Sequence, residues 1–502
     1  MTREKSLPKT IYECLAEVAA RSPDNVAITF DGQDFSYKTF VSHVSFAAEK
    51  LGELGVQKGG AVCVFAQNRP EILFAYYAAS KLGAVFVPIN PNMTATEVRY
   101  AFEHSESPLL FHDELVEETA KAAVPAEKRK SLLQLYGLSS NAAAPPDSSI
   151  TAQDDALIIY TSGSTGHPKA VAVTHSTQVR HVDALNEMWG ITESDRVLVA
   201  LPLGYLYGLT TASATALHAG AHITLLRKYH PRAVLEGLVN GRITAFQGVP
   251  TMYTMMVEFA DQNGLTFDLS GMRLLVCSGA PLSDETAERF SRNFGKSLEN
   301  YYAQSEYTPI FGFYASNKEA HPPGSVGQLA PRAIVRIVDG DGNECAVGQV
   351  GEIRVSGDLR MARYHKDPEQ TASAIIDGWL KTGDLGYVDA RGYYYISGRI
   401  KDTIIRGGAN ISPAEVEQAL YKHPNVLEAA VVPAPDRIYG EVPFAFISTR
   451  QGTMVTAEEL QAVAERELAD FKVPRRYRFL TELPKNITGK IDKKQLKQIA
   501  SE

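Results

Sequence analysis

Three stretches of this chain repeat one grammar: an apolar run with helical spacing, a glycine, then a short run rich in β-branched residues. They are EILFAYYAASKLGAVFVPI (71–89), TTASATALHAGAHITLL (210–226) and AVLEGLVNGRITAFQGVP (233–250). A helix that repeatedly hands over to a buried strand at a glycine break predicts a layered α/β domain with largely parallel sheets. The first stretch is the most apolar in the chain, yet Lys81 and Gly83 interrupt it. It therefore reads as helix then strand and not as a membrane span. No repeat at solenoid or propeller spacing is present.

At 502 residues the chain exceeds what one hydrophobic core usually supports, so two or more domains are expected. The texture changes near residue 325. GSVGQLAPRAIVRIVDGDGNECAVGQVGEIRVSG (324–357) has short alternating strands and an Asp-Gly turn, which predicts a β-rich subdomain over about 325–398. Beyond Gly398, RIKDTIIRGGANISPAEVEQALYKHPNVLEAAVV (399–432) reads as a strand, a Gly-Gly turn, a helix and another strand. Ser412-Pro413 opens that helix, with Glu415 in its first turn. The fold class is thus α/β: a large N-terminal domain of layered sheets and helices over 1–398, then a small α+β domain over 399–502. The boundary falls in the polar, charged turn 398–401. NAAAPPDSS (141–149) reads as a surface loop.

Composition narrows the function classes. The apolar fraction of 44% and charged fraction of 22% are those of an ordinary soluble globular protein. A net charge of −8, without long runs of like charge, disfavours binding to a nucleic-acid backbone. Cys14, Cys63, Cys277 and Cys345 form no CxxC pair and no ligand spacing with histidine, so they read as reduced thiols of a cytoplasmic protein. The amino-terminal stretch has charge but no apolar core of a secretory signal, and the final ASE is not a peroxisomal address.

The stretch YTSGSTGHPK (160–169) stands between the apolar runs DALII (155–159) and AVAVTH (170–175). The P-loop pattern G-x-x-x-x-G-K-[ST] needs longer glycine spacing, Ser or Thr after the lysine, and a helix after the loop. Here Ala170 follows Lys169, and AVAVTH alternates like a strand, so no helix dipole points at the loop. The G-x-G-x-x-G dinucleotide spacing is also missing. What remains is a set of hydroxyls (Thr161, Ser162, Ser164, Thr165), amides at Gly163 and Gly166, and the cation Lys169. Such a set suits wrapping a polyphosphate; a polar turn between two strands is the alternative.

The loop closely resembles the phosphate loop of the adenylate-forming enzymes, the superfamily of acyl-CoA synthetases, peptide-synthetase adenylation domains and luciferases. The resemblance continues in order through VPTMY (249–253), LLVCSGAPLS (274–283), NYYAQSE (300–306) and GEIRVSG (351–357). It ends with WLKTGDLGYVDARGYYYISGRIKDTIIRGGANISPAEVE (379–417) and PKNITGK (484–490). The resemblance as a whole spans about residues 20 to 495.

The resemblance implies an AMP-forming acid–thiol ligase. A carboxylate attacks the α-phosphate of ATP, pyrophosphate leaves, and the acyl group passes from acyl-AMP to CoA. Both reactants of the first step are anions, so its barrier is largely electrostatic and positional. By resemblance Thr161, Ser162, Gly163, Ser164, Thr165, Gly166 and Lys169 cradle phosphates, and Glu306 with Thr165 holds Mg²⁺. Gly279, Ala280 and Pro281 admit the adenine, with Tyr302 stacking on its face, and Asn300, Tyr301, Ala303, Gln304 and Ser305 belong to the same ATP- and AMP-binding set. Asp384 takes the ribose hydroxyls and Arg399 the ribose or α-phosphate side. Lys490 reaches across from the small domain to stabilise the in-line transition state, which suits a point charge on a flexible stem. The small domain then turns about the hinge residue Lys401 and admits CoA along Gly407 and Gly408, with Lys472 meeting a CoA phosphate.

Departures from the family pattern bear on the substrate. Where many ligases read P-x-F-H-x-x-G, this chain reads PLGYLYGL (202–209), with Tyr205 in the histidine's place. Ala303 replaces a usual glycine and narrows the acyl tunnel, while Ser305 keeps a hydroxyl. The F-D-x-S aspartate of amino-acid-activating members is missing. Expected pocket walls are Tyr205, Phe246, Gln247, Gly248, Val249, Ser278 and Ala303, which favour an aliphatic or aromatic monocarboxylate. The expected partners are a small carboxylic acid and either CoA or an acyl carrier protein, with no nucleic acid and no integral membrane segment; a homodimer is left open.

Overall fold

The computed structural model describes residues 9–141, 146, 148–161, 168–317, 319, 321–486 and 490–501. Helix Pro70–Leu82 stops at Gly83, whose left-handed backbone ends it, and strand Val85–Ile89 follows. Helix Pro231–Asn240 also ends at a glycine, Gly241, and passes to strand Ala245–Gly248, with the left-handed residue here being Arg242. The third stretch takes a wider form: Tyr207–Ala214 is a π-helix that tightens into helix Thr215–Ala219 before strand His222–Leu225. Ser213 and Thr215 donate their hydroxyls to the carbonyls of Gly208 (2.8 Å) and Thr210 (3.1 Å), five residues back, which matches the widened turn.

Two seven-stranded sheets organise the larger part of the chain. One runs Glu299–Asn300, Leu274–Cys277, Ala245–Gly248, Arg196–Val199, His222–Leu225, Val26–Phe30, Gln33–Ser36, parallel except for its final pair. The other runs Arg363–Tyr364, Lys169–Thr174, Asp155–Thr161, Val85–Ile89, Ala61–Phe65, Leu110–His112, Arg129–Ser131. Its first three strands pair antiparallel in succession, and the remaining pairs are parallel. Alternation along the strands divides their side chains between cores. Val62 and Val64 face a central core while Ala61, Cys63 and Phe65 face an outer one; Val197 and Val199 turn inward and Leu198 outward. The central core holds helices between the sheets, with Trp189 fully buried, and each such buried large side chain contributes roughly 1.5–3 kcal/mol.

Residues 334–399 form a five-stranded antiparallel sheet, and Tyr302–Gln304, Tyr307–Gly312 and Gln328–Leu329 a three-stranded one. From Ile404 onward the chain builds its own five-stranded sheet. Helices Pro413–Tyr421, Ala457–Glu467 and Lys493–Ser501 pack on it over cores drawn only from residues beyond 400. Ser412 stands at the first helix's cap position as expected, but it caps nothing: its hydroxyl donates to the Ser397 carbonyl. The four cysteines are free thiols. Among the described residues no helix is long and apolar enough to cross a membrane.

The entry ends of the parallel strands are stitched by one carboxylate. Asp195 accepts from Arg273 at both oxygens (2.9 and 3.0 Å), from the Thr244 hydroxyl (2.6 Å) and from the Thr192 amide (2.8 Å). Arg273 also donates to the Trp189 carbonyl at 2.8 Å. This aligns the starts of Arg196–Val199, Ala245–Gly248 and Leu274–Cys277, so their exit ends emerge side by side, where α/β sheets carry their ligand crevices. Asp195→Ala should lower the unfolding free energy by roughly 2–4 kcal/mol, because it leaves a partly buried guanidinium and a hydroxyl unpaired. A urea transition coincident with that of the wild type would refute this.

Candidate functional site

The Gly-rich stretch joins two strands, as its sequence implies. Asp155–Thr161 and Lys169–Thr174 pair antiparallel with Thr161 opposite Lys169. Thr161 directs its hydroxyl at the Lys169 carbonyl, 3.5 Å away. Ser162, Gly163, Ser164, Thr165 and Gly166 lie outside the described residues. The Lys169 ammonium sits 4.8 Å from the centre of the Tyr364 ring and 3.5 Å from its hydroxyl. That hydroxyl donates to Glu306 Oε1 at 2.9 Å. Burial, then the Glu306 charge, push the Tyr364 phenol well above its ordinary range, so it stays a donor. Tyr364 therefore connects the loop's lysine to the candidate magnesium ligand, a role the motif reading missed. It is placed by pairing of Arg363–Tyr364 with Lys169–Thr174 across nearly two hundred residues, and no local spacing signals that.

A second cluster forms around Asp384, which is buried. Its Oδ1 accepts from Arg399 Nε at 3.0 Å, its cross-strand partner. Its Oδ2 accepts from the Tyr302 hydroxyl (2.5 Å) and Gln304 Nε2 (2.8 Å). A carboxylate has about four lone-pair sites, so one remains for a further donor. Burial, then Asp384, raise the Tyr302 phenol far above its usual value. Its ring stacks on Phe311 (5.7 Å, 21°), which stacks on Tyr394 (4.0 Å, 15°). Asn300 ends the strand beside Cys277, and Tyr301 packs its ring edge-on to Trp189. Ala303 and Ser305 are half-buried in the same segment. Arg399 works against partial burial, yet Asp384 and Tyr302 hold its guanidinium above its ordinary value.

The small sheet's domain brings Lys490 to this cluster. Its Cε lies 3.8 Å from the point where a side chain on Gly279 would begin, at the bend that also holds Ala280 and Pro281. The side chain is open to water in the cleft but hemmed in by protein. That enclosure, with Arg399, pulls the ammonium down to about 8, while Asp384 and Glu306 oppose the shift. Water reaching the side chain offsets part of the cost. Lys401 is likewise lowered, by burial and then by Arg399. The turn that carries it is tied to the final helix by Lys497, which donates to Asp402 at 2.8 Å.

The thiol-side residues stand apart from this cluster. Gly407 and Gly408 make a left-handed turn between Ile404–Arg406 and Ala409–Ile411, and the Gly407 amide donates to the Tyr439 carbonyl at 2.8 Å. Lys472 is engaged by Glu415 at 2.6 Å.

The expected pocket walls divide. Phe246 and Gln247 face opposite ways: strand alternation sends Phe246 to the outer core, edge-on to Tyr253, where Val249 also packs. Gln247 is 1% exposed, and neither atom of its amide has a partner among the described residues. Val276 is its register partner, while the Tyr207 hydroxyl reaches the Gly248 carbonyl at 3.3 Å and its ring packs against the outer core. The Ser278 amide donates to the Gly248 carbonyl at 3.1 Å, and Val249 leads into helix Pro250–Asn263. The Tyr205 hydroxyl is also buried without a partner among the described residues. Gly204 lets this turn meet the end of strand Val85–Ile89, since a side chain there would begin 2.6 Å from the Asn90 Cα.

Comparison with known proteins places this geometry. The family model "AMP-binding enzyme" matches residues 15–365, and "AMP-binding enzyme C-terminal domain" matches residues 415–490. The chain is 32% identical to the long-chain-fatty-acid–CoA ligase of Bacillus subtilis, over 98% of this chain and 95% of that protein. It is 34% identical to a feruloyl-CoA synthase of an Amycolatopsis species, over 96% and 97%. Among solved structures, ATP-bound MatB from Rhodopseudomonas palustris superposes with a TM-score of 0.86 at 28% identity, covering 98% of both chains.

The Tyr364 bridge is testable by itself. Tyr364→Phe keeps the ring beside Lys169 and removes only the donor to Glu306, so it should cost about 1–2 kcal/mol of stability. Tyr364→Ala also loses the ring and should cost at least about 3 kcal/mol. Equal urea midpoints for Tyr364→Phe and the wild type would show that the bond is idle.

Proposed function

Because the chain belongs to the AMP-binding enzyme family, we propose that it joins a carboxylic acid to the thiol of CoA at the expense of ATP. The carboxylate oxygen bonds to the α-phosphorus while the bond to the bridging oxygen of the β-phosphate breaks, and pyrophosphate leaves with that electron pair. The CoA sulfur then bonds to the acyl carbon, AMP leaves, and the thiol proton passes to solvent.

The observation that carries this reading is that the small domain sets Lys490 against the Gly279 bend of the large one, its Cε 3.8 Å from where a side chain there would begin, with Arg399, Asp384 and Glu306 near enough to act on its charge. Lys490 supplies positive charge where two anions must approach, and it does so from a fixed position. Asp384, with one acceptor position left, takes a ribose hydroxyl; a second would displace Tyr302 or Gln304. Arg399 faces the ribose or α-phosphate, and Tyr302 and the turn at Gly279, Ala280 and Pro281 flank the adenine. Thr161, Ser162, Gly163, Ser164, Thr165, Gly166 and Lys169 hold the departing pyrophosphate. Gly407, Gly408 and Lys472 serve the thiol after rotation about Lys401.

Among the described residues no group of three or more His, Cys, Asp or Glu could hold a metal alone. Glu306 keeps one carboxylate oxygen beyond its bond to Tyr364, which fits Mg²⁺ bound chiefly through phosphates. Glu306 and Thr165 would hold that ion, whose contribution is to neutralise phosphate charge.

We read the acid as an aliphatic or aromatic monocarboxylate. The unpartnered amide of Gln247 gives a hydroxyl or carbonyl on it a place to bond. The test is ATP–pyrophosphate exchange with octanoate, benzoate, 4-hydroxycinnamate, indole-3-acetate and malonate, followed by thioester detection with CoA. At least one monocarboxylate should support both, and Lys490→Ala should slow exchange by about a hundredfold or more. No exchange with any acid, or unimpaired exchange in Lys490→Ala, would overturn the reading.

The lysine also predicts a pH effect. Docked in the cleft it is lowered from its ordinary 10.5 to about 8, so above pH 8 the ligand-free docked form has shed its proton. Phosphate anions favour the charged form and restore it. MgATP binding at pH 9 should therefore take up a proton, and at pH 7, where the group is charged in both states, it should not. Calorimetry in two buffers of different ionisation enthalpy reads this; a lack of buffer dependence at pH 9, or its persistence in Lys490→Ala, would contradict it.

A further inference from the structure

The small domain that carries Lys490 grips the large one at a second place. Arg450, at the end of strand Gly440–Thr449, donates through Nη1 to Glu258 and through Nη2 to Glu285 at 2.6 Å. Glu258 lies on helix Pro250–Asn263 and Glu285 on helix Asp284–Phe294, both of the large domain. The guanidinium is set within its own domain: Nε donates to the Pro424 carbonyl at 2.8 Å. Its side chain is 12% exposed, and those of Glu258 and Glu285 are 18% and 23%. Among the described residues the large domain offers these carboxylates one cation of its own, Arg289, which sits 2.7 Å from Glu258, 2.6 Å from Asp261 and 3.6 Å from Glu285. Three carboxylates against one guanidinium leave a net charge of −2, and Arg450 reduces it to −1.

The grip is placed on the segment that receives the lysine. Gly279 meets Lys490, and six residues later in the same stretch Glu285 meets Arg450. Between them Gln418 donates to the Leu282 carbonyl at 3.3 Å, and its side-chain oxygen accepts from the Asp284 amide at 3.4 Å. A rotation that withdraws Lys490 must break all of these bonds.

We propose that Arg450 is a positioning residue for the acid-activating step: paired with Glu258 and Glu285, it holds the small domain where Lys490 reaches the cleft. The inference rests on the ligase reading above. It separates the two half-reactions, because thioester formation needs that grip released.

The test measures each half-reaction with the panel acid that exchanges fastest. Arg450→Ala should slow acid-dependent pyrophosphate exchange on the order of tenfold. Thioester formation from CoA and the chemically prepared acyl adenylate should stay at the wild-type rate or rise. Glu285→Gln, which leaves Arg289 with Glu258 and Asp261, should reproduce the split, and combining it with Arg450→Ala should add little. Arg450→Lys should recover part of the exchange rate. Unchanged exchange in Arg450→Ala overturns the inference alone. So does equal loss of both half-reactions, which marks a merely structural role, or losses that multiply in the double variant. Absence of exchange in the wild type overturns the ligase reading and this inference with it.

Discussion

The Asp384 carboxylate accepts hydrogen bonds from Arg399, Tyr302 and Gln304, and through them it joins parts of the chain that otherwise belong to different sheets. Tyr302 and Gln304 come from the three-stranded sheet, Asp384 and Arg399 from adjacent strands of the five-stranded one. Arg399 is also the last residue before the turn leading into the small domain. A buried carboxylate costs several kcal/mol unless its lone pairs are met, so these donors are held to their places. The same few atoms therefore orient the aromatic face, the guanidinium and the start of the linker.

Positive charge is concentrated around that centre. Lys490, Arg399, Lys401 and Lys169 converge, and Lys490 and Lys401 lie below their ordinary ammonium values, with Arg399 a cause for both. In an empty cleft this convergence is unfavourable; a polyphosphate relieves it. Docking of the small domain thus needs compensating attraction elsewhere, and the pairs of Arg450 with Glu258 and Glu285 supply it farther along the segment that Lys490 meets. Attraction at one contact and repulsion relieved by ligand at another make a domain arrangement that can be both formed and released.

Much of the architecture was legible from local pattern. The helix–glycine–strand grammar, the strand-to-strand setting of YTSGSTGHPK and the β-rich texture after residue 325 all depend on neighbours within about twenty residues, where periodicity reports directly on burial. The site was legible in part, through motifs whose order matches a known family. Tyr364 escaped because its meaning lies in an edge strand that pairs with Lys169–Thr174 far back in the chain. Phe246 and Gln247 are neighbours in sequence, yet a strand turns alternate side chains to opposite faces, so the two stand on different sides of the sheet. Ser412 has the right residue type for a cap, but the Ser397 carbonyl offered it a stronger claim.

Residue order alone determined the layered α/β class, the strand-to-strand phosphate loop, the change of texture toward the carboxyl end and the candidate residues for each chemical task. Those are consequences of spacing, side-chain chemistry and backbone preference, which act locally. Only the tertiary structure decided that Tyr364 bridges Lys169 to Glu306, that Gln247 and not Phe246 faces inward, and that Arg450 and Lys490 reach the large domain on one segment. Each of those depends on strands and domains distant in sequence being brought within a hydrogen bond's length. That is a property of packing, and packing is not encoded in any one stretch of the chain.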